Sequence, residues 1–140
     1  VNVEPEYTNW DIAFSTTINE FYNYQDQQIY SYGFKDYGLA NTGNVMVSAV
    51  DVTETVTYDG FSYADISDLG LEFDPSRLSI GGTWRVAVFN PDFSVDYVVN
   101  SEIFYIVNDT EGNYYKLKFT DMFNESGDRG YPKFVYELLK

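Results

Sequence analysis

Apolar side chains recur along this chain in short alternating runs, and Gly, Asn, Asp and Pro separate one run from the next. The alternation is sharpest near the end. In EIFYIVNDTEGNYYKLKF, Tyr115, Leu117 and Phe119 share one parity while Lys116 and Lys118 share the other, the period of two that marks a strand with one buried face. Asp109, Gly112 and Asn113 suit a turn, so the segment predicts a hairpin reversing over 108–113. A second reversal is expected in NESGDRGYP, where Gly127 and Gly130 accept positive φ and Pro132 ends the turn. Phe134, Tyr136 and Leu138 then supply the next apolar face, which makes the end of the chain a C-terminal β-meander.

Upstream, β-branched and aromatic stretches predict strands over Trp10–Thr16, Gln28–Tyr32, Asn44–Val52, Trp84–Phe89, Tyr97–Val99 and Glu102–Val107. The meander adds Tyr114–Phe123 and Lys133–Leu138, and Tyr63–Leu69 offers at most a short turn of helix. No linker, charge block or fixed repeat divides the chain, so residues 1–140 read as a single domain. A meander has to bury its apolar face against something, and the short strands upstream are expected to fold over it. The expected fold class is an all-β, antiparallel sandwich.

Composition narrows the chemistry. The sequence has no Cys and no His, which removes disulfides, zinc held by thiolate or imidazole, and every catalytic triad built on histidine. With 22 acidic and 8 basic residues the formal charge is -14, so nucleic acid and anionic lipid surfaces are unfavourable partners. No apolar run approaches the roughly 18 residues of a membrane span, and VNVEPEYTNW has neither the basic nor the apolar part of a signal peptide. The carboxylates are many but scattered. NDTEGN at 108–113 lacks the alternating oxygen ligands of a calcium loop, Asp92 and Asp96 read as loop residues, and no pair is marked out for glycoside hydrolysis. The expectation is a protein without enzymatic activity.

What remains is aromatic. The 14 Tyr and 11 Phe exceed what a core of this size needs, so some rings are expected to line a groove. Tyr58, Tyr63 and Tyr97 lie in or beside loops, and a phenolate binds ferric iron. Met46 and Met122 are the thioether alternatives, each inside an apolar run where core filling is the ordinary role.

Three stretches, TNWDIAFS at 8–15, GLANTGNVM at 38–46 and YYKLKFTDMFNESGDRGYPKFVYELL at 114–139, resemble the HmuY family, haem-binding lipoproteins secreted or displayed on the surface of Bacteroidetes bacteria. The resemblance runs in order through most of the chain: a WDIAF strand, a polar loop with glycines, a variable middle and the aromatic ending. It implies a hand-shaped all-β fold that holds haem between two finger-like hairpins, through paired axial histidines or methionines from the middle of the chain. It also implies an extracellular or outer-membrane-surface location, a lipid anchor upstream of the first residue here, and delivery of haem to an outer-membrane receptor. The middle of this chain, 58–99, contains neither His nor Met, so axial ligation is expected to be atypical or absent. The candidate ligands are Tyr63, Tyr97 and Tyr58, with Met46 next; Phe61, Phe73, Trp84, Phe89 and Phe93 are expected to line the pocket, and Arg77 and Arg85 to meet the propionates. Tyr115, Phe119, Phe134 and Tyr136 are expected to be scaffold. The alternative, from another class, is a surface β-domain that recognises a glycan, peptide or partner protein through exposed tyrosines.

Overall fold

The structure is a computed structural model that describes residues 6 and 9–140, apart from the side chains of Asn19 and Phe21. In chain order the elements are β1 Ile12–Asn23, β2 Gln28–Ala40, β3 Met46–Asp51, α1 Tyr63–Asp68, β4 Arg85–Phe89, β5 Val95–Val99, β6 Ile103–Asn108, β7 Tyr114–Phe123 and β8 Arg129–Leu138. They form three antiparallel sheets: a β1-β2 ribbon, a four-stranded sheet ordered β3-β6-β7-β8, and a β4-β5 ribbon. The all-β architecture and the β6-β7-β8 meander agree with the sequence reading.

Both expected reversals are present. Asp109 accepts hydrogen bonds from the backbone N–H groups of Glu111 and Asn113, each at 2.8 Å, which fixes the β6–β7 turn. Asn124 accepts from Ser126 and Asp128, with Gly127 at φ 81° between them. The helix is equally local: the N–H and hydroxyl of Ser62 both donate to Asp65 at 2.7 Å, and Gly70, at φ 61°, ends the turn that follows.

The first hairpin is longer than its sequence pattern suggests. β1 and β2 run for 12 and 13 residues, past the expected strand ends at Thr16 and Tyr32, and β2 enters the glycine-bearing stretch 38–46 only as far as Ala40. Gly38 is there because of a close approach: a Cβ at this position would lie 2.5 Å from Cγ2 of Ile80. Instead, the backbones of Gly38 and Gly81 exchange two hydrogen bonds of 2.9 Å. Ser15 pairs with Tyr37 and Thr17 with Phe34, so Thr16 faces both Lys35 and Asp36, a β-bulge in which Asp36 adopts φ 62°. The bulge divides the hairpin. On one side of it Leu39 and Ala40 are buried and Ile12 and Phe14 pack against the core; on the other Ile18, Tyr22, Ile29, Tyr30 and Tyr32 are exposed.

The core occupies both faces of the four-stranded sheet. One face gathers Val47, Ile80, Trp84, Tyr105, Val107, Leu117, Phe119 and Met122; the other gathers Val50, Tyr58, Phe61, Phe104 and Ile106. Two sequence expectations are corrected by this arrangement. Lys116, expected on a solvent face, is only 3% exposed, because the segment leading to α1 covers that face. Its ammonium donates to the carbonyls of Tyr58 and Phe61 at 3.0 and 3.2 Å and pairs with Glu137 at 3.1 Å. Conversely Tyr136 and Leu138, expected to be packed, are exposed, since β8 is an edge strand whose far end has little over it, while Phe134 packs on Phe14 and Phe119 as expected.

Candidate functional site

The two ribbons meet at their roots. There a cavity of about 210 Å3 is lined by Tyr32, Gly33, Phe34 and Lys35 from β2, by Arg85 and Tyr97 from β4 and β5, and by Arg129 at the start of β8. The Arg85 guanidinium lies 5.9 Å from the Tyr37 ring centre and 5.5 Å from that of Tyr97, and one of its amino groups donates to the Lys35 carbonyl at 2.7 Å. Arg129 stacks on Tyr97 at 3.8 Å and donates to the Asp36 carboxylate at 2.9 Å. The backbone carbonyl of Asp36 accepts from the Trp84 indole at 3.0 Å. The bulge residue thus ties the root of one ribbon to the residues that start the other two sheet segments.

Electrostatically the root stands out from the rest of the molecule. Burial, and then the charge of Arg129, push the Arg85 pKa down, with Asp36 and the two tyrosines opposing the shift. The Nε of Arg85 is buried and has no hydrogen-bond partner among the described residues. Arg129 is paired with Asp36 while Arg85 has no ion pair among the described residues, within a protein of charge -14, an arrangement suited to a carboxylate or other anion.

Beyond the root the ribbons carry apolar side chains into solvent: Val86, Val88, Val95 and Val98 along β4–β5, with Phe89 78% and Phe93 95% exposed at its tip. Phe93 also has φ 66°, an unfavourable conformation for a bulky residue. Its N–H donates to Asn90 O at 3.0 Å, and Asn90 in turn holds Ser94 and Asp96, so the turn displays the ring outward.

Among the residues singled out from sequence, Tyr97 and Arg85 come together at the root, and Phe89 and Phe93 lie on the same ribbon. The others are elsewhere. Trp84 is 0% exposed and stacks on Phe119 at 4.4 Å; Phe61 packs on Phe104 at 5.3 Å; both are core residues with no surface to offer a pocket. Phe73 packs on Tyr114. Tyr58 is buried, its hydroxyl donating to the Lys116 carbonyl at 3.5 Å. Tyr63 begins α1 and touches Tyr114 and Lys140. Arg77 is exposed, its carbonyl accepting from Ala40 at 2.9 Å. Met46 pairs with Asn108 on the edge strand β3, beside a different cavity that includes Pro75 and Gly112. Sequence reasoning missed Arg129, Tyr32, Phe34 and Tyr37. Only the scarcity of basic residues pointed to Arg129, which sits inside a turn-like stretch.

The family model described as HmuY protein matches residues 1–136. Similar solved structures include the apo form of a Tannerella forsythia HmuY analog, 15% identical with a TM-score of 0.41, covering 94% of this chain and 98% of that one. A candidate lipoprotein of Bacteroides fragilis is 17% identical with a TM-score of 0.41, covering 93% and 82%. A candidate HmuY-like haem-binding protein of Bacteroides vulgatus is 15% identical with a TM-score of 0.38, covering 84% and 82%. No curated protein matches the chain.

Proposed function

Because the chain belongs to the HmuY family, we propose that it is a non-enzymatic haem- or porphyrin-binding protein of the bacterial surface that takes its ligand between the two ribbons. The observation that carries this reading is the pairing of exposed apolar ribbons with two arginines at their common root. A tetrapyrrole is a flat apolar disc with carboxylates on one edge. Its faces match the valine, tyrosine and phenylalanine side chains of the ribbons, and its propionates match Arg85 and Arg129. The root cavity, about 210 Å3, is smaller than the roughly 300–1,000 Å3 of a complete small-molecule site. It takes the propionate edge, and the ring system lies farther out, where the ribbons close on it.

Among the ligands expected from sequence only Tyr97 lines the cleft, beside Tyr32, whereas Tyr58, Tyr63 and Met46 lie outside it, so Tyr97 is the iron ligand of this reading. Delivery to an outer-membrane receptor and attachment through a lipid anchor complete the reading. The second reading, recognition of a partner protein, peptide or glycan, is favoured by one observation, the outward display of Phe93 at the ribbon tip.

Titration with haemin and with metal-free protoporphyrin, followed by absorbance, separates the two. A saturable one-to-one Soret change supports the tetrapyrrole reading. Arg85→Ala and Arg129→Ala are each expected to weaken binding about 10- to 100-fold, the effect of losing one charge-assisted hydrogen bond. Tyr97→Phe should alter the ferric spectrum of the haemin complex while leaving protoporphyrin affinity unchanged; an unaltered spectrum would mean that Tyr97 does not ligate the iron. A haemin spectrum that stays that of the free compound well above micromolar concentration overturns the proposal and leaves the partner-recognition reading.

A further inference from the structure

Another cavity, of about 390 Å3, lies at the other end of the four-stranded sheet. Tyr115 pairs with Leu138 at that end, whereas Phe123 pairs with Arg129 beside the ribbon root; eight residues of strand separate them, roughly 25 Å. Leu117 is part of the floor. Trp10, just ahead of β1, and Tyr115, Phe134 and Tyr136 form aromatic walls, and Asp11 is the one acidic residue of the lining. Tyr136 is 66% exposed, and its ring centre is 6.2 Å from that of Tyr115 in an edge-on arrangement. The volume falls within the roughly 300–1,000 Å3 of small-ligand sites.

The charge around this groove is negative. Burial, then the charge of Asp109, raise the Asp11 pKa; a hydrogen bond from the Thr110 backbone opposes them and Glu111 adds to them. Burial, and then Asp109, Asp11 and Glu111, raise that of Tyr115. At Asp109 itself burial opposes ionisation, but donors from Asn113, Glu111 and Gly112 outweigh it and hold the carboxyl below its ordinary value. Among the described residues none of these three carboxylates is in an ion pair, and no lysine or arginine lines the groove.

We propose that this groove binds an organic ammonium group, an alkylated amine or the end of a lysine side chain, against the ring faces of Trp10, Tyr115 and Tyr136, with Asp11 as counter-ion. Aromatic faces attract cations through their quadrupole, and the attraction grows as the cation is desolvated. The flanking carboxylates add to that attraction. They repel an anion such as a porphyrin propionate, and a neutral apolar guest would leave the half-buried Asp11 without an opposite charge. The site is separate from the ribbon root and does not depend on what binds there.

The test is titration of the whole chain with choline, with its neutral isostere 3,3-dimethylbutan-1-ol and with N-acetyl-lysine amide, followed by the NMR signal of the Trp10 indole. Choline is expected to saturate the signal in the millimolar range, with the isostere at least about tenfold weaker. Asp11→Asn should lower choline affinity about tenfold and leave the isostere unaffected, and Tyr136→Ala, at an exposed position, should weaken both. The lysine derivative tells a side-chain ligand from a free quaternary amine by which of the two binds more tightly. Equal affinity for choline and the isostere, or no saturation by either cation up to about 100 mM, overturns the proposal. Glu111→Gln, in an exposed turn, repeats the charge test should Asp11→Asn unfold, and haemin titration of the same variants reports the ribbon root independently.

Discussion

Strand β6, IFYIVN, and strand β4, RVAVF, are built from the same kinds of residue and meet opposite fates. β6 lies between β3 and β7, and its two faces are covered by different clusters, with Tyr105 and Val107 under Trp84 and Phe104 and Ile106 under Tyr58 and Phe61. Among the described residues β4 pairs with β5 alone, and four of its five residues are exposed. A two-stranded ribbon is marginal by itself. This one holds at its root, where Asn100 N–H donates to the Trp84 carbonyl at 2.8 Å and its side chain donates to that of Thr83 at 3.1 Å. The difference teaches that apolar content alone does not say what a strand is for. Where a second layer arrives from elsewhere in the chain the strand is core; where none arrives, a contiguous apolar surface marks a place for something else to bind.

Replacing Trp84 by Ala probes the comparison most severely, because this side chain packs the sheet and anchors the ribbon root at once. The expected loss is about 3–5 kcal/mol in urea unfolding, and a loss under about 1 kcal/mol would show that the root carries little of the core's stability.

Alkaline pH acts next. Burial pushes the Tyr105 phenol up from 10.0 to about 12, with a hydrogen bond to Thr83 partly opposing the shift. The neutral form is the one the fold favours, so its contribution is fully present below pH 10 and is lost as the pH rises from 10 towards about 12. That amounts to about 3 kcal/mol, and Tyr105→Phe should remove this share of the alkaline decline in equilibrium unfolding.

Lys116→Met tests the covered face of β7. It leaves the carbonyls of Tyr58 and Phe61 without their donor, for an expected loss of about 2 kcal/mol in thermal unfolding. The mostly exposed Glu137 partner adds little. The smallest effect is expected at the ribbon tip. Phe93→Gly should change stability by no more than about 1 kcal/mol, in the stabilising direction because the strained φ is relieved, while affinity for haemin or for a partner falls. A large loss of stability there would dissolve the contrast between core and ribbon.

The same contrast explains what the sequence disclosed. Alternation is a signal only when one face of a strand is dry. β7 announced itself through Leu117 and Phe119, and the turns at 108–113 and 124–128 announced themselves through their Asp, Asn and Gly side chains. In the outer half of the first hairpin residues 28–33 of β2 are exposed on both faces, so no parity marks them, and Gly33 and Gly38 disguised the strand further. Lys116 was misread because the carbonyls that satisfy it come from 58 and 55 residues away. Arg85 and Tyr97 were legible as candidates by type and position; that Arg129 joins them was not, since its contact with Asp36 spans 93 residues of chain.

Asp36 has a mechanical consequence. The arm of the first hairpin beyond the bulge is about 20 Å long, and Asp36 is its knuckle, gripping Trp84 through its backbone and Arg129 through its carboxylate. The footing of the other arm and an arginine of the cleft are both fastened to this one residue, beside the Lys35 carbonyl that holds Arg85. One carbonyl and one carboxylate at the base of this arm thus fasten neighbours that lie 48 and 93 residues away in the chain.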